Sequence, residues 1–205
     1  MLTLISNRHL CGERDFIDVI EVAIQSGVSR VIFREKDATA IERMAWTKRL
    51  LKSNSNNKCS FIVHSDINIA ALERVNGIHI TMDALSTFSS GAELKELCHK
   101  ENDPCFEIGV SVHSLEEAKQ AEAFGASYIL AGHIFKTDCK KGLEGRGLDY
   151  IKAIVQAADI PVIGLGGINP DNMKSVLDIG ASEVAVMSGI MSADDIELAV
   201  GSFIK

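Results

Sequence analysis

PVIGLGGINPDNMKSVLDIGASEVAVMSG occupies positions 161–189 and holds one whole structural unit and the start of the next. The apolar run 161–165 is short and rich in Val and Ile, the pattern of a strand buried on both faces of a parallel sheet. Asn169-Pro170-Asp171 turns the chain into a helix expected over 171–179, with Pro170 near its first turn. Gly180 stops that helix, and a second apolar run follows at 183–187. Strand, amphipathic helix and strand in this order describe a βα unit of a parallel sheet.

The same alternation runs back through the chain. Apolar runs at 2–5, 30–34, 61–64, 77–81, 106–112 and 128–134 each precede a longer amphipathic stretch, at 15–26, 39–52, 68–75, 92–100, 115–124 and 148–158. A helix over 194–203 follows the eighth run. Gly27 and Gly125 sit at expected helix ends, and Ser114 with Glu117 has the spacing of a capping box. Eight strand–helix units predict an α/β fold, a single (β/α)8 TIM barrel over residues 1–205, in preference to an open doubly wound sheet. The polar stretch SNSNNK (53–58) reads as a surface loop and not as a linker between domains.

Composition narrows the function. With 28 Asp and Glu against 21 Lys and Arg, the net charge is −7, so a nucleic-acid partner is not expected. Trp46 and the few other aromatic residues show no stacking pattern for bases. Any anionic ligand must be drawn by a local site. The five cysteines form no CxxC pair, which argues against a disulfide framework or zinc site and for a reducing, cytoplasmic setting. MLTLISNRHLCGERD (1–15) lacks the basic start and long apolar stretch of a signal peptide. No apolar run reaches the length of a membrane span, and no membrane association is expected.

In a TIM barrel, chemistry gathers at the C-terminal ends of the strands. Gly164-Leu165-Gly166-Gly167 after the seventh strand and Met187-Ser188-Gly189 after the eighth are candidate phosphate-binding loops, because glycines let backbone N–H groups approach phosphate oxygens. As simple turns they would need no ligand; two such loops on consecutive strand ends favour the phosphate. His133 ends the sixth strand and is the candidate acid–base residue; a structural histidine is the alternative. His113, followed at once by a helix start, reads as supporting. Arg34, at the end of the second strand, offers a planar fork to a carboxylate or phosphate, while Glu35 and Lys36 beside it suit a rim salt-bridge network. The loop 136–147 is long and glycine-bearing, a candidate lid, with Lys140 as its candidate ligand contact. Cys139 reads as a bystander. His64, Asp66, His79 and Asp83 lack the tight spacing of a metal cluster, so no metal is expected; His79 reads as a core histidine.

These residues resemble the thiamine phosphate synthase superfamily, and within it the TenI-type thiazole tautomerases. The likeness spans nearly the whole chain and is strongest from Gly109 to Met191, above all in GHIFKTDCKKGLEGRG (132–147). The superfamily's synthases join an aminopyrimidine diphosphate to a thiazole phosphate with magnesium on the diphosphate. Where they carry Asn-Asp-Arg this chain has His64-Ser65-Asp66, and where they carry Gln-x-Arg-Glu-Lys it keeps Arg34-Glu35-Lys36 with Ile32 in place of Gln. Ile80-Thr81-Met82-Asp83 stands where they carry a Gly-Gln pair and a nearby acidic ligand, with Asp83 out of register. The resemblance therefore implies a disabled synthase and a metal- and cofactor-free isomerase, a thiazole tautomerase. It implies His133 as general acid and base, and Gly166, Gly167, Met187, Ser188 and Gly189 around the phosphate. Arg34, His64 and Lys140 would contact the substrate. The ligand would be a phosphorylated thiazole and the assembly a small homo-oligomer. A synthase with an altered metal site, or a non-catalytic thiazole-phosphate-binding regulator, are the alternatives.

Overall fold

A computed structural model describes residues 1–56, 58–137 and 142–204. Eight parallel strands form a closed barrel in sequence order: β1 (Leu2–Ile5), β2 (Arg30–Phe33), β3 (Ser60–His64), β4 (Gly77–Thr81), β5 (Glu107–Val112), β6 (Tyr128–Ala131), β7 (Val162–Leu165) and β8 (Glu183–Val186). β8 closes on β1 with Leu2 opposite Val184.

The strand sequences are apolar on both faces, and alternation sorts them. Val31, Phe33, Phe61, Val63, Ile78, Ile108, Val110 and Ile129 point outward into a cluster shared with the helices. Ile5, Ile32, Ile62, Tyr128, Leu130, Ile163 and Ala185 point inward and fill the barrel. Below them the barrel floor is polar. Arg30 pairs with Glu107 at 2.6 Å and Glu183 at 2.8 Å, and its guanidinium lies 4.6 Å from the Tyr128 ring centroid. Thr3 donates to Glu183 at 2.7 Å and Ser60 donates to Glu107 at 3.0 Å. The interior is thus plugged at its N-terminal end and opens at the C-terminal ends of the strands.

The main helices are α1 (Phe16–Gln25), α2 (Ala40–Ser53), α3 (Ile67–Leu72), α4 (Met82–Leu85), α5 (Gly91–Leu97), α6 (Leu115–Phe124), α7 (Gly147–Ala157), α8 (Met173–Asp178), α9 (Ser188–Met191) and α10 (Ile196–Ile204). Thr39 and Glu42 form a reciprocal capping box at α2. Ser114 caps α6, which ends on Gly125 in the left-handed region, at φ +102°. α8 begins two residues later than the sequence suggests. The Asn169 side chain accepts from the N–H groups of Asp171 and Asn172, at 2.9 and 3.1 Å, and holds 169–172 as a turn. Among the described residues no helix is long and apolar enough to cross a membrane.

Candidate functional site

A cavity of about 640 Å³ opens at the C-terminal mouth of the barrel. His133, Arg34, His64, Gly166, Gly167, Met187, Ser188 and Gly189 all line it, so the sequence candidates from five strand ends converge on one space. Lys140, the remaining substrate-binding candidate, lies outside the described residues, as do Cys139 and Lys141 of the same loop.

On one side the loops after β7 and β8 face the cavity. Gly166 and Gly167 have φ of +109° and +63°, a backbone that L side chains rarely adopt. A Cβ on Gly166 would stand 2.7 Å from the His133 Cα, so this loop packs directly on the end of β6. Asn172 steadies it by donating to the Gly167 carbonyl at 2.9 Å. α9 starts at Ser188 and its N-cap, Met187, makes no side-chain capping bond.

His133 sits beside the β7 loop. The strand pattern that the sequence carries to residue 134 stops at Ala131, because His133 takes the left-handed conformation at φ +65°. The chain is then pinned across to β7: Ile134 donates to the Leu165 carbonyl at 3.1 Å, and Phe135 to Gly166 at 2.9 Å. His133 is 6% exposed, and its Nε2 is buried with no hydrogen-bond partner. A buried polar atom left unpaired costs about 1–3 kcal/mol, and a strained backbone at a cavity wall is a common mark of a working residue. Downstream, Arg146 and Gly147 donate to the carbonyls of His133 and Ile134, at 2.8 and 2.9 Å, so the loop after β6 returns to the strand it left.

The opposite wall is cationic. Arg34 and Lys36 from the end of β2 face His64 from β3. Arg34 pushes Lys36 below its ordinary value, with partial burial adding to the effect. Burial, reinforced by Arg34 and Lys36, pulls His64 down to about 4. His79 forms the floor, its ring 5.8 Å from that of His64. It is the core histidine the sequence suggests, bonded through Nδ1 to the Tyr128 hydroxyl at 3.1 Å and through Nε2 to Ser111 Oγ at 2.8 Å. Burial above all holds it well below the usual value for histidine, so it is neutral. Asn7, Thr81, Ser111 and Thr137 complete the polar lining. Ser111 was legible in principle: in β5 it alternates with the outward Val110 and Val112.

No Asp or Glu among the described residues lines the cavity, and no group of three or more His, Cys, Asp or Glu side chains is placed to hold a metal. Magnesium prefers hard oxygen donors in octahedral array. Ser65 is exposed, Asp66 is turned away into the cap of α3, and Asp83 is exposed on α4. The residues present do not fit a carboxylate-held divalent cation.

The family model described as thiamine monophosphate synthase (TMP-TENI) matches residues 2–190. Thiamine-phosphate synthase of Clostridium acetobutylicum is 35% identical over 196 residues, covering 96% of this chain and 89% of that protein. The protein of the same name from Pyrococcus horikoshii is 32% identical over 198 residues, covering 97% and 90%. The solved thiamine phosphate pyrophosphorylase of Pyrococcus furiosus superposes with a TM-score of 0.82 at 31% identity, covering 98% and 92%. A 3-hexulose-6-phosphate synthase, at 13% identity and a TM-score of 0.71, shares the fold alone. These comparisons correct the expectation of an isomerase: the similar proteins are named as synthases, which are transferases, and the tautomerase assignment is not supported. With a family model over almost its whole length and relatives above 30% identity, the chain belongs to the thiamine monophosphate synthase (TMP-TENI) family.

Proposed function

We propose that the protein is a thiamine-phosphate synthase with an altered metal site, joining an aminopyrimidine diphosphate to a thiazole phosphate. The observation that carries this reading is a single cavity with anion-seeking walls at both ends, glycine loops beyond β7 and β8 and a cationic wall at β2 and β3. Names of similar proteins across bacteria and archaea support the same chemistry.

In this reading the thiazole phosphate is held by backbone N–H groups of Gly166, Gly167, Ser188 and Gly189. The diphosphate lies toward Arg34, Lys36 and His64. The thiazole ring nitrogen gives its lone pair to the methylene carbon of the pyrimidine; a C–N bond forms, the C–O bond breaks, and the diphosphate leaves with the electron pair. The cavity gathers both reactants in one orientation, which is where most of the acceleration arises. His133, against the β7 loop, faces the thiazole half, and its unpaired Nε2 finds a partner on the bound substrate. Burial of the aromatic rings against Ile5, Ile32 and Leu130 excludes water from the reacting carbon.

The test is direct formation of thiamine phosphate from the two substrates, followed by chromatography, with magnesium and with EDTA. Product above the uncatalysed background is expected; its absence in both conditions overturns the reading. His133→Ala should lower kcat/KM by about 10²-fold or more if Nε2 contacts the reacting groups, while unchanged turnover removes His133 from the site.

A further inference from the structure

The carboxylates nearest the β2–β3 wall are all engaged elsewhere. Glu35, adjacent to Arg34 in sequence, is 3% exposed and points away from the cavity into the β1 connection. It accepts from Ser6 Oγ at 2.7 Å and from the Arg8 N–H at 3.2 Å. Asp37 accepts from Arg8 at 3.0 Å and pairs with His9. Asp66 caps α3 through the Ile69 N–H and pairs with Arg43 at 2.8 Å. Of the chain's 28 acidic residues, none among those described faces Arg34 or Lys36 across the cavity.

The basic groups are the converse. Among the described residues neither the Arg34 guanidinium nor the Lys36 ammonium forms an ion pair. Ser6 fixes the Arg34 backbone: its Oγ accepts the Arg34 N–H at 2.8 Å while donating to Glu35. Two cations are therefore held side by side at a cavity wall, mutually repelling, with the half-buried His64 imidazole beside them and no described counter-charge. Such a wall gains most from a polyanion and repels a free divalent cation. Arg adds a fork that fits phosphate oxygens.

We propose that Arg34, Lys36 and His64 form a metal-independent diphosphate subsite, in which side-chain cations take the place of a carboxylate-held divalent ion. The inference rests on the synthase reading for the identity of the anion, but its test does not need turnover. The probe is inorganic pyrophosphate, titrated calorimetrically into the full chain at low ionic strength, in EDTA and again in excess magnesium.

Binding in EDTA is expected, with magnesium leaving the affinity within about threefold or weakening it by sequestering the probe. Arg34→Gln and Lys36→Gln should each weaken binding in EDTA about tenfold or more, the scale of a lost hydrogen bond to a charged group. Arg34→Lys should recover only part of the loss. Circular dichroism checks that the variants, altered at partly or fully exposed side chains, keep the fold. Binding that appears only with magnesium, or tightens tenfold with it, overturns the proposal, as does binding in EDTA that both Gln variants leave unchanged. Metal-free binding without thiamine phosphate formation would sink the synthase reading and leave the subsite standing; product formation with strictly magnesium-dependent binding would do the reverse.

Discussion

Replacing His64 with glutamine should make the fold less sensitive to acid, by an amount that follows from the cationic wall. In the folded chain burial, Arg34 and Lys36 hold His64 at about 4, against an ordinary 6.5; the third titratable neighbour, His79, is itself neutral. The unfolded chain takes up a proton at this site below pH 6.5 and the folded chain does not. Stability is therefore full above about 6.5 and is lost as pH falls toward 4. At about 1.4 kcal/mol for each tenfold change in proton affinity, the loss from His64 is about 2 kcal/mol at pH 5 and about 3 kcal/mol near pH 4. Urea unfolding at pH 7.5 and pH 5, followed by circular dichroism, gives the comparison. The wild-type chain should lose about 2 kcal/mol more between these pH values than His64→Gln does. Burial, the largest cause of the His79 depression, is common to both proteins, so most of the His79 contribution cancels; the smaller share due to His64 is lost in the variant. If the two stability profiles run parallel to within about 0.5 kcal/mol, His64 is not held neutral and the description of the wall fails.

Other perturbations test other parts of the molecule. Arg30→Met removes the partner of Glu107 and Glu183 in the barrel floor and should destabilise by about 3 kcal/mol, read as a lower urea midpoint. Gly109→Ala puts a Cβ into Tyr128 and His79; a loss of about 1–3 kcal/mol is expected, with a blue-shifted or weakened Tyr near-ultraviolet signal. Asp66→Ala removes the α3 cap and the pair with Arg43; thermal unfolding should show a loss of about 1 kcal/mol or more.

Most of the barrel is legible because the eight apolar runs recur with helix signals between them, and each observed strand lies inside or within one residue of its run. Boundaries fail where long-range bonds decide them. Nothing local to 128–134 reports that His133 turns left-handed against Gly166. The short helices α4 and α9 carry too few residues for a period to show. At the site, converging glycine loops and basic residues follow from the strand-end rule alone. The engagement of Glu35 and Asp66 away from the cavity does not, because it depends on Ser6, Arg8 and Arg43, which the chain brings in from other elements. The isomerase expectation fails for a related reason: the sequence shows the missing carboxylates, whereas the charge of Arg34 and Lys36, unpaired among the described residues, shows only in the folded chain.

Closure of β8 on β1 joins partners separated by 180 positions, as the Thr3–Glu183 bond shows. During synthesis at about 5–20 residues per second, β1 waits many seconds for that partner with one edge unpaired. The interval is the barrel's most exposed moment for aggregation, since an open parallel edge invites a neighbouring chain. The strand that ends the wait also carries Met187, Ser188 and Gly189 into the mouth. The cavity at the mouth therefore does not exist until the ring is shut, and anything that binds there can act on the nascent protein only by locking a barrel already closed.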